Sequence, residues 1–257
     1  MRQPDGPSSV LRMFREISMR MFPTIASIVI AVLAAVPAGT VAAQLEARPS
    51  VWETLMREPL PEESGAKISV ISIPVPPAPP GPRATGGGHT HAGPVFAYVL
   101  EGKIENQVEP DPPEVYAPGD FFYEAPEHVH RFLHNLSNTE PAKLLIFEAG
   151  NIGHAAPAIN LLGQAPLRTT VNQEVSLLRL TLPPGALSPG LANSDPGFGY
   201  VLEGKIETPD PADQPEIHSA GDLFVEPAGR AGLTFKNASR SEPAKLLLYQ
   251  VRERGSP

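Results

Sequence analysis

Five histidines with the potential to bind a metal lie in one part of the chain. His89 and His91 are two residues apart in the stretch GGGHTHAGPVFAYVLEGKIE, and His128, His130 and His134 follow further along. Imidazole nitrogens are common protein ligands of first-row divalent metals. If the segment holding His89 and His91 is extended, both side chains project to the same face of a sheet. The pattern predicts a nitrogen-rich metal site.

An internal repeat indicates that the fold itself does not need these histidines. The octapeptide YVLEGKIE stands at residues 98–105 and again at 200–207, and the same offset of 102 residues relates APGDFFYE to SAGDLFVE and TEPAKLLIF to SEPAKLLLY. Such self-similarity predicts two copies of one domain. At this offset the five histidines are replaced by Leu191, Asn193, Arg230, Gly232 and Lys236. Their joint absence from the second copy strengthens the prediction of a metal site in the first.

The elements that would position the histidines are short strands. The apolar runs at residues 69–75, 121–124 and 142–148 are bounded by turns rich in glycine, proline and asparagine, and a longer run at 96–105 has a bend at Gly102. The 32 prolines and 22 glycines are spread through the chain, and no segment has sustained helical periodicity. This pattern predicts an all-β protein built of antiparallel sandwiches or barrels.

Two stretches of the first copy resemble the paired motifs of the cupin superfamily. GGGHTHAGPVFAYVLEG is similar to the first cupin motif and GDFFYEAPEHVHRFLHN to the second, so the chain resembles a bicupin with two tandem jelly-roll β-barrels. The resemblance implies that His89, His91 and His130 bind one divalent transition metal ion, which could be iron, zinc, copper, nickel or manganese. His128 and His134 are possible accessory ligands or rim residues. No catalytic residue and no organic cofactor follow from the sequence.

The first motif departs from the family pattern at its glutamate. Val95 and Phe96 stand where the pattern has that residue, and neither side chain can bind a metal. Three neutral imidazoles would leave the full charge on the ion, which favours an anionic substrate or bound hydroxide as a further ligand. Three acidic or phenolic residues have counterparts in the histidine-free copy. They are interpreted as maintaining the fold or as having no special claim to the metal: Tyr98, Glu101 and Glu124.

The repeat and the N-terminal composition predict three segments. Residues 1–43 combine a basic flank, a charge-free apolar run and small residues before Gln44, which is typical of a helical secretory signal cut after Ala43; the alternative is an uncleaved membrane anchor. Residues 44–150 would form the first cupin domain, with residues 44–65 as an arm lying on it. Residues 151–257 would form a second, degenerate cupin domain without metal ligands, most simply a packed core.

Charge and composition limit the partners. Without residues 1–43 the chain loses four of its 20 basic and two of its 28 acidic side chains, which leaves a net formal charge of −10. This argues against nucleic acid or anionic lipid as a partner. The chain has no cysteine, so disulfides and thiolate chemistry are excluded. The sequence predicts a secreted or periplasmic protein with a small-molecule ligand, no stable membrane insertion after signal removal, and a possible homodimer.

Three classes of function fit these features. The first is a metal-dependent enzyme, dioxygenase-like or isomerase/lyase-like, that acts on a small oxygen-rich organic molecule. The second is an exported protein that binds a small ligand without turnover, and the third is a structural or storage-like bicupin. The remaining two histidines, His154 and His218, are assigned no function.

Overall fold

The computed structural model of the chain is built of antiparallel strands. It describes residues 50–62, 67–78, 88–150, 159–167, 171–191, 196–209, 215–229 and 232–255. Their strands are β1 (Val51–Pro59), β2 (Lys67–Val75), β3 (Val95–Glu101), β4 (Ile104–Val108), β5 (Glu114–Tyr116), β6 (Phe121–Glu124), β7 (His130–Asn135), β8 (Ala142–Ala149), β9 (Asn160–Pro166), β10 (Gln173–Leu182), β11 (Gly197–Glu203), β12 (Lys205–Thr208), β13 (Glu216–Ser219), β14 (Leu223–Glu226), β15 (Lys236–Asn237) and β16 (Ala244–Glu253). Within the described ranges no helix is long and apolar enough to cross a membrane. The all-β prediction is confirmed, and the predicted helical signal, residues 1–43, lies outside the described residues.

Each copy of the repeat forms one large and one small sheet. In the first copy the large sheet has the strand order β6-β3-β8-β2-β9 and the small sheet β5-β4-β7. In the second copy the orders are β14-β11-β16-β10-β1 and β13-β12-β15, which is the same arrangement strand for strand. Sheets of this kind that enclose an apolar interior form a jelly-roll barrel. The predicted pair of jelly-roll barrels is confirmed, whereas the segment boundaries at residues 43 and 150 stay a prediction.

The outer strand of each large sheet comes from the segment that precedes the other barrel. β1 pairs with β10 of the second barrel, and β9 pairs with β2 of the first. The prediction that the N-terminal arm lies on the first domain is therefore wrong. Without β1, the backbone groups along the free edge of β10 would lack partners, and an added strand satisfies them. Trp52 of β1 packs into the interior of the second barrel, and Leu55 and Met56 pack against the core between the barrels.

Three apolar cores stabilise the molecule. Each barrel has its own interior, around Val99 and Leu144 in the first and around Leu180 and Phe235 in the second. The outer faces of the two large sheets pack on each other and form a third core. Its largest fully buried side chains are Phe96, Phe147, Phe198 and Tyr249. The large sheet of the first barrel is thus buried on both faces, and this fixes the strands that lead to the histidines.

The predicted long strand at residues 96–105 is interrupted at Gly102. The residue has a φ of 78°, which favours glycine, and a Cβ at this position would lie 2.6 Å from the Cβ of Ala142. The chain therefore changes from the large sheet to the small sheet at this point, with β3 ending at Glu101 and β4 beginning at Ile104. Gly204 has the same role between β11 and β12, with a φ of 71°.

Candidate metal centre

The backbone brings the segment of His89 next to the start of β7. His89 and His130 form an isolated antiparallel bridge: the His130 amide donates to the His89 carbonyl at 2.8 Å, and the His89 amide donates to the His130 carbonyl at 3.1 Å. Gly88 permits this approach, because a Cβ there would lie 2.7 Å from Cγ1 of Val129 and 2.8 Å from the His130 carbonyl oxygen. The pairing places His89 and His130 side by side at one end of the first barrel.

The three histidines of the two motifs converge. One ring nitrogen from each of His89, His91 and His130 lies within 4.8 Å of the other two. The ring centroid of His89 is 4.9 Å from that of His91 and 5.0 Å from that of His130. His91 and His130 are buried and His89 is exposed. This arrangement could hold a metal ion, and the exposed His89 lies on the solvent side of the cluster. The role of the three residues as ligands stays a prediction.

Hydrogen bonds define which nitrogen of His130 faces the cluster. Nε2 lies 2.7 Å from Oδ1 of Asn106 and 3.1 Å from the carbonyl oxygen of Phe132. Both partners are acceptors, so Nε2 carries the hydrogen and Nδ1 keeps the lone pair. A ligating histidine is commonly oriented by such a bond from its other nitrogen. The donor set of the site therefore fits a divalent metal, with Nδ1 of His130 as its ligand atom.

Two buried glutamates complete the site. Oε2 of Glu124 is 2.8 Å from Nε2 of His91, and Oε1 of Glu124 is 3.4 Å from Nδ1 of His130. Oε1 of Glu148 is 3.5 Å from Nδ1 of His91. Both carboxylates are almost fully buried, with relative exposures of 3% for Glu124 and 2% for Glu148. Such burial is unfavourable for a charged group unless a cation compensates it, and the histidine cluster lies within reach.

Strand register explains why both glutamates reach the same point. Val95 is the direct partner of Glu124 on β6 and of Glu148 on β8, so the three side chains project into the barrel from adjacent strands. Of the two positions at which the cupin pattern has its glutamate, Val95 faces the barrel interior and Phe96 faces the core between the barrels. Glu124, interpreted from the sequence as maintaining the fold, also contacts two histidines of the cluster through its carboxylate.

The electrostatics of His91 and Glu124 are coupled. Burial, the largest effect, lowers the pKa of His91, but contacts with Glu124 and Glu148 outweigh it and raise that pKa from 6.5 to about 9. For Glu124 the largest effect is again burial, which raises its pKa, yet the contact with His91 and the charges of the histidines hold that pKa below its ordinary value. Without a metal, His91 is therefore protonated at neutral pH and Glu124 is ionised.

The two predicted accessory residues, His128 and His134, lie outside the histidine cluster. His128 is exposed in the turn before β7, where its amide donates to the carbonyl of Ala125. The ring of His134 stacks on Phe132 at a centroid distance of 4.4 Å and lies 3.8 Å from Glu105. Neither is among the ligand atoms within 4.8 Å of one another. The interpretation of His128 and His134 as rim residues stays a prediction.

The other candidate residues that the structure describes do not belong to the histidine cluster. Tyr98 is buried in the core between the barrels, in agreement with its interpretation as a residue of the fold. Glu101 lies opposite Lys143 at the end of β3, away from the histidines. His218 stacks on Phe224 in the second barrel, at a centroid distance of 4.4 Å. His154 lies outside the described residues.

The second barrel has apolar side chains where the first has its cluster. Leu191 bridges to Leu233, in the way that His89 bridges to His130. The sequence comparison set Gly232 against His130, and here the structure differs: Gly232 has a φ of 72°, so the chain turns there and the next residue enters the pairing. Leu233 and Phe235 are buried in the interior. These residues fill the described part of the second barrel as a packed core.

A comparison with protein families supports this architecture. A family model described as the cupin domain matches residues 79–148, which span the first barrel from before His89 to Glu148. The first barrel is a cupin domain. The second barrel has the same strand order as the first, without the histidines. A search of curated protein sequences gives no match to this chain.

Several solved structures are similar to this chain in fold. A bacterial pirin of Escherichia coli in complex with nickel(II) has a TM-score of 0.51 and 18% identity, over 73% of this chain and 83% of that one. A salicylate 1,2-dioxygenase of Pseudaminobacter salicylatoxidans has a TM-score of 0.50 and 13% identity, over 72% and 70%. An oxalate decarboxylase has a TM-score of 0.50 and 14% identity, over 74% and 70%. At such identities the likeness concerns the fold alone.

Proposed function

We propose that the chain is an exported, metal-dependent cupin enzyme. One divalent transition metal ion would bind to His89, His91 and His130 in the first barrel, and the substrate would be a small oxygen-rich organic molecule. The observation that carries the proposal is the convergence of three ring nitrogens within 4.8 Å at one end of that barrel. The second barrel, with Leu191 and Leu233 in the equivalent bridge, shows that the fold forms without them.

The residues around the cluster have separate tasks in this proposal. When bound, the ion would supply Lewis-acid chemistry or activation of dioxygen, which supports isomerase/lyase-like or dioxygenase-like reactions. Asn106 holds His130 with Nδ1 facing the site. Glu124 and Glu148 balance the positive charge, and the exposed His89 marks the side from which substrate would approach.

A small cavity borders Asn106, which contacts His130, and none of the three histidines lines it. The cavity is also lined by Tyr116, Tyr123 and Glu114, among others. Ligand pockets commonly measure roughly 300–1,000 Å³. At about 150 Å³ this cavity lies below that range, so it does not by itself define the substrate.

A second candidate is a binding protein without turnover. It is favoured by the contact between Glu124 and protonated His91, which form a charge-balanced pair without any ion. In this alternative the cluster stabilises the barrel, and a small ligand occupies the cavity.

Metal content tests the proposed function. Residues 44–257 would be purified without an affinity tag, and metals measured by mass spectrometry before and after reconstitution. About one iron, copper, nickel, manganese or zinc ion per chain is expected, and a His89→Ala/His91→Ala double variant should lose it. His128→Ala is the matched control, since it removes an exposed histidine outside the cluster. Negligible metal in all three proteins would contradict the proposal.

Turnover separates the enzyme from the binding protein. The loaded parent would be incubated with small hydroxy acids, dicarboxylic acids and catechols, with dioxygen consumption and product formation followed by electrode and mass spectrometry. Conversion that disappears in the double variant supports the enzyme. Stoichiometric retention of a compound without conversion supports the binding protein.

Export is part of the proposal and rests on the sequence of residues 1–43. The full chain would be expressed in a bacterial host, and the N-terminus of the protein in the culture medium or periplasm would be sequenced. A start at Gln44 is expected if the signal is cut after Ala43. Recovery of the intact chain in the membrane fraction would favour the uncleaved anchor.

A further inference from the structure

We propose that Glu124 is the carboxylate ligand of the metal in this barrel, and that Glu148 positions His91. The first cupin motif lacks its glutamate at Val95, and the neighbouring strand would provide the replacement. This inference rests on the proposed function, because it concerns how the same ion is bound.

The register of the sheet places one glutamate on each of the two strands that neighbour Val95. Val95 on β3 lies directly between Glu124 on β6 and Glu148 on β8, and directly opposed residues share a face of the sheet. Adjacent strands are about 4.8 Å apart. A glutamate side chain is long enough to cover much of that distance. Either neighbour of Val95 could therefore bring a carboxylate to the point that the motif glutamate reaches from β3.

Distances distinguish the two glutamates. Glu124 contacts two histidines, with Oε2 at 2.8 Å from Nε2 of His91 and Oε1 at 3.4 Å from Nδ1 of His130. Nitrogen and oxygen ligands at about 2.0–2.2 Å from one ion lie roughly 3 Å from each other. The 2.8 Å contact is a hydrogen bond in the metal-free protein, and the same spacing lets both groups bind one ion in place of the shared hydrogen. Nδ1 of His130 is also the nitrogen left without a hydrogen by the bond to Asn106.

Glu148 lies on the opposite side of His91. Its Oε1 is 3.5 Å from Nδ1 of His91, whereas Glu124 is at Nε2 of the same ring. A carboxylate at Nδ1 holds the hydrogen on that nitrogen and leaves the lone pair of Nε2 for the ion. Glu148 is therefore a positioning residue that acts through His91.

The second barrel provides a natural comparison. Glu226 is the counterpart of Glu124 and is equally buried, with a relative exposure of 3%, so the fold accepts a carboxylate there without the histidines. The counterpart of Glu148 is Gln250, in which the charge is absent. Glu226 thus makes a matched control: its replacement tests the cost of removing a buried carboxylate from the same position of the same fold.

Cobalt(II) binding tests the proposal. The parent chain, Glu124→Gln, Glu148→Gln and Glu226→Gln would be freed of metal and titrated with Co(II), with the dissociation constant and the visible absorption spectrum as readouts. Loss of a ligand in Glu124→Gln should weaken binding about a hundredfold and change the d–d bands. Glu148→Gln should weaken binding by about tenfold and keep the band pattern. Glu226→Gln should match the parent in both.

The outcomes separate this inference from the proposed function. If Glu124→Gln binds Co(II) with the affinity and spectrum of the parent, Glu124 is not a ligand, while the three-histidine site stands. If the parent itself binds no Co(II), the proposed function fails. Circular dichroism would verify the fold of each variant. Should Glu124→Gln not fold, Glu124→Asp replaces it: the charge is kept and the reach shortened, so an unchanged Co(II) spectrum would overturn the proposal.

Discussion

His91 contacts both buried carboxylates of the site, and its protonation state controls metal binding. It is buried, it lies between two carboxylates, and its pKa is raised to about 9. A metal ion can bind Nε2 only after the imidazolium has lost that proton. Metal affinity should therefore increase with pH across the neutral range, more steeply than at a site whose histidines have ordinary pKa values.

The first prediction concerns the metal-free protein. Because the pKa of His91 is higher in the folded chain than the ordinary 6.5, its protonation stabilises the fold fully below pH 6.5, and this contribution is lost as pH rises through about 9. Urea unfolding in the presence of a chelator should show the free energy of unfolding falling by at most about 3 kcal/mol over this range. The lowered pKa of Glu124 adds stability that is present above the ordinary pKa of a glutamate and is lost only as pH falls through the lowered value, so it stays constant between pH 6.5 and 9.

His91→Gln provides the comparison for this pH dependence. The variant keeps a polar side chain but cannot be protonated, so the fall in stability between pH 6.5 and 9 should be absent. Equal slopes for parent and variant would show that His91 does not carry a raised pKa.

The sequence could predict the histidines but not the carboxylates, and the reason lies in the sheet. His89, His91 and His130 belong to recognisable local spacings and are absent from the second copy. Glu124 reaches the site only through the pairing of β6 with β3, which no local pattern specifies. Because the second copy has Glu226 at the equivalent position, a comparison of the two copies does not single out Glu124. For Glu148 a signal was present in the sequence, since the second copy has Gln250 at the equivalent position.

At the level of elements, the sequence predicts the bounds of the strands better than it predicts which strands pair with each other. The run at residues 121–124 is β6 as predicted, and the run at 142–148 differs from β8 by one residue. β1 was assigned to the wrong barrel because an amphipathic strand can cover either sheet. Its partner is determined by which sheet edge is free, and the edge of β2 is already covered by β9.

The second prediction tests the strand exchange. Trp52, the single tryptophan, packs edge-on against Phe235 at 5.9 Å, and its Nε1 donates to the carbonyl of Pro189 at 3.2 Å. Trp52→Ala should lower the free energy of unfolding by about 2–4 kcal/mol, since it removes a large contact from the second barrel. Metal binding in the first barrel should be unchanged. Denaturant unfolding followed by circular dichroism and a Co(II) titration would measure the two effects.

Val51→Ala is the matched control on the same strand. Val51 is 50% exposed, so its truncation should change stability by about 0.5 kcal/mol or less. If Trp52→Ala were as mild as Val51→Ala, or if it weakened metal binding instead, β1 would not belong to the second barrel.

At the scale of the whole molecule, the two barrels share an apolar core and exchange strands. They exchange their outer strands, and their large sheets pack on a common core that contains Phe96, Phe147, Phe198 and Tyr249. Neither barrel could unfold without exposing the core and one strand of the other. We therefore expect residues 44–257 to unfold in a single cooperative transition. Two separate transitions would contradict the shared core.

The last prediction concerns the centre of this core. Tyr249 stacks on Phe147 with ring centroids 5.1 Å apart, and the two are counterparts in the repeat. The hydroxyl of Tyr249 is buried with no hydrogen-bond partner among the described residues, and burial raises its pKa. A buried polar atom without a partner costs about 1–3 kcal/mol. Tyr249→Phe should therefore raise the unfolding free energy by about 1 kcal/mol or more in urea, moving the whole transition.

Phe147→Tyr makes the reverse change at the equivalent position of the first copy. It places a hydroxyl in the same apolar core and should shift the single transition to lower urea concentration. Opposite shifts of the one transition would show that both residues belong to one core. A loss of stability in Tyr249→Phe would instead mean that its hydroxyl has a partner, such as a buried water, and that the contact between the barrels is partly polar.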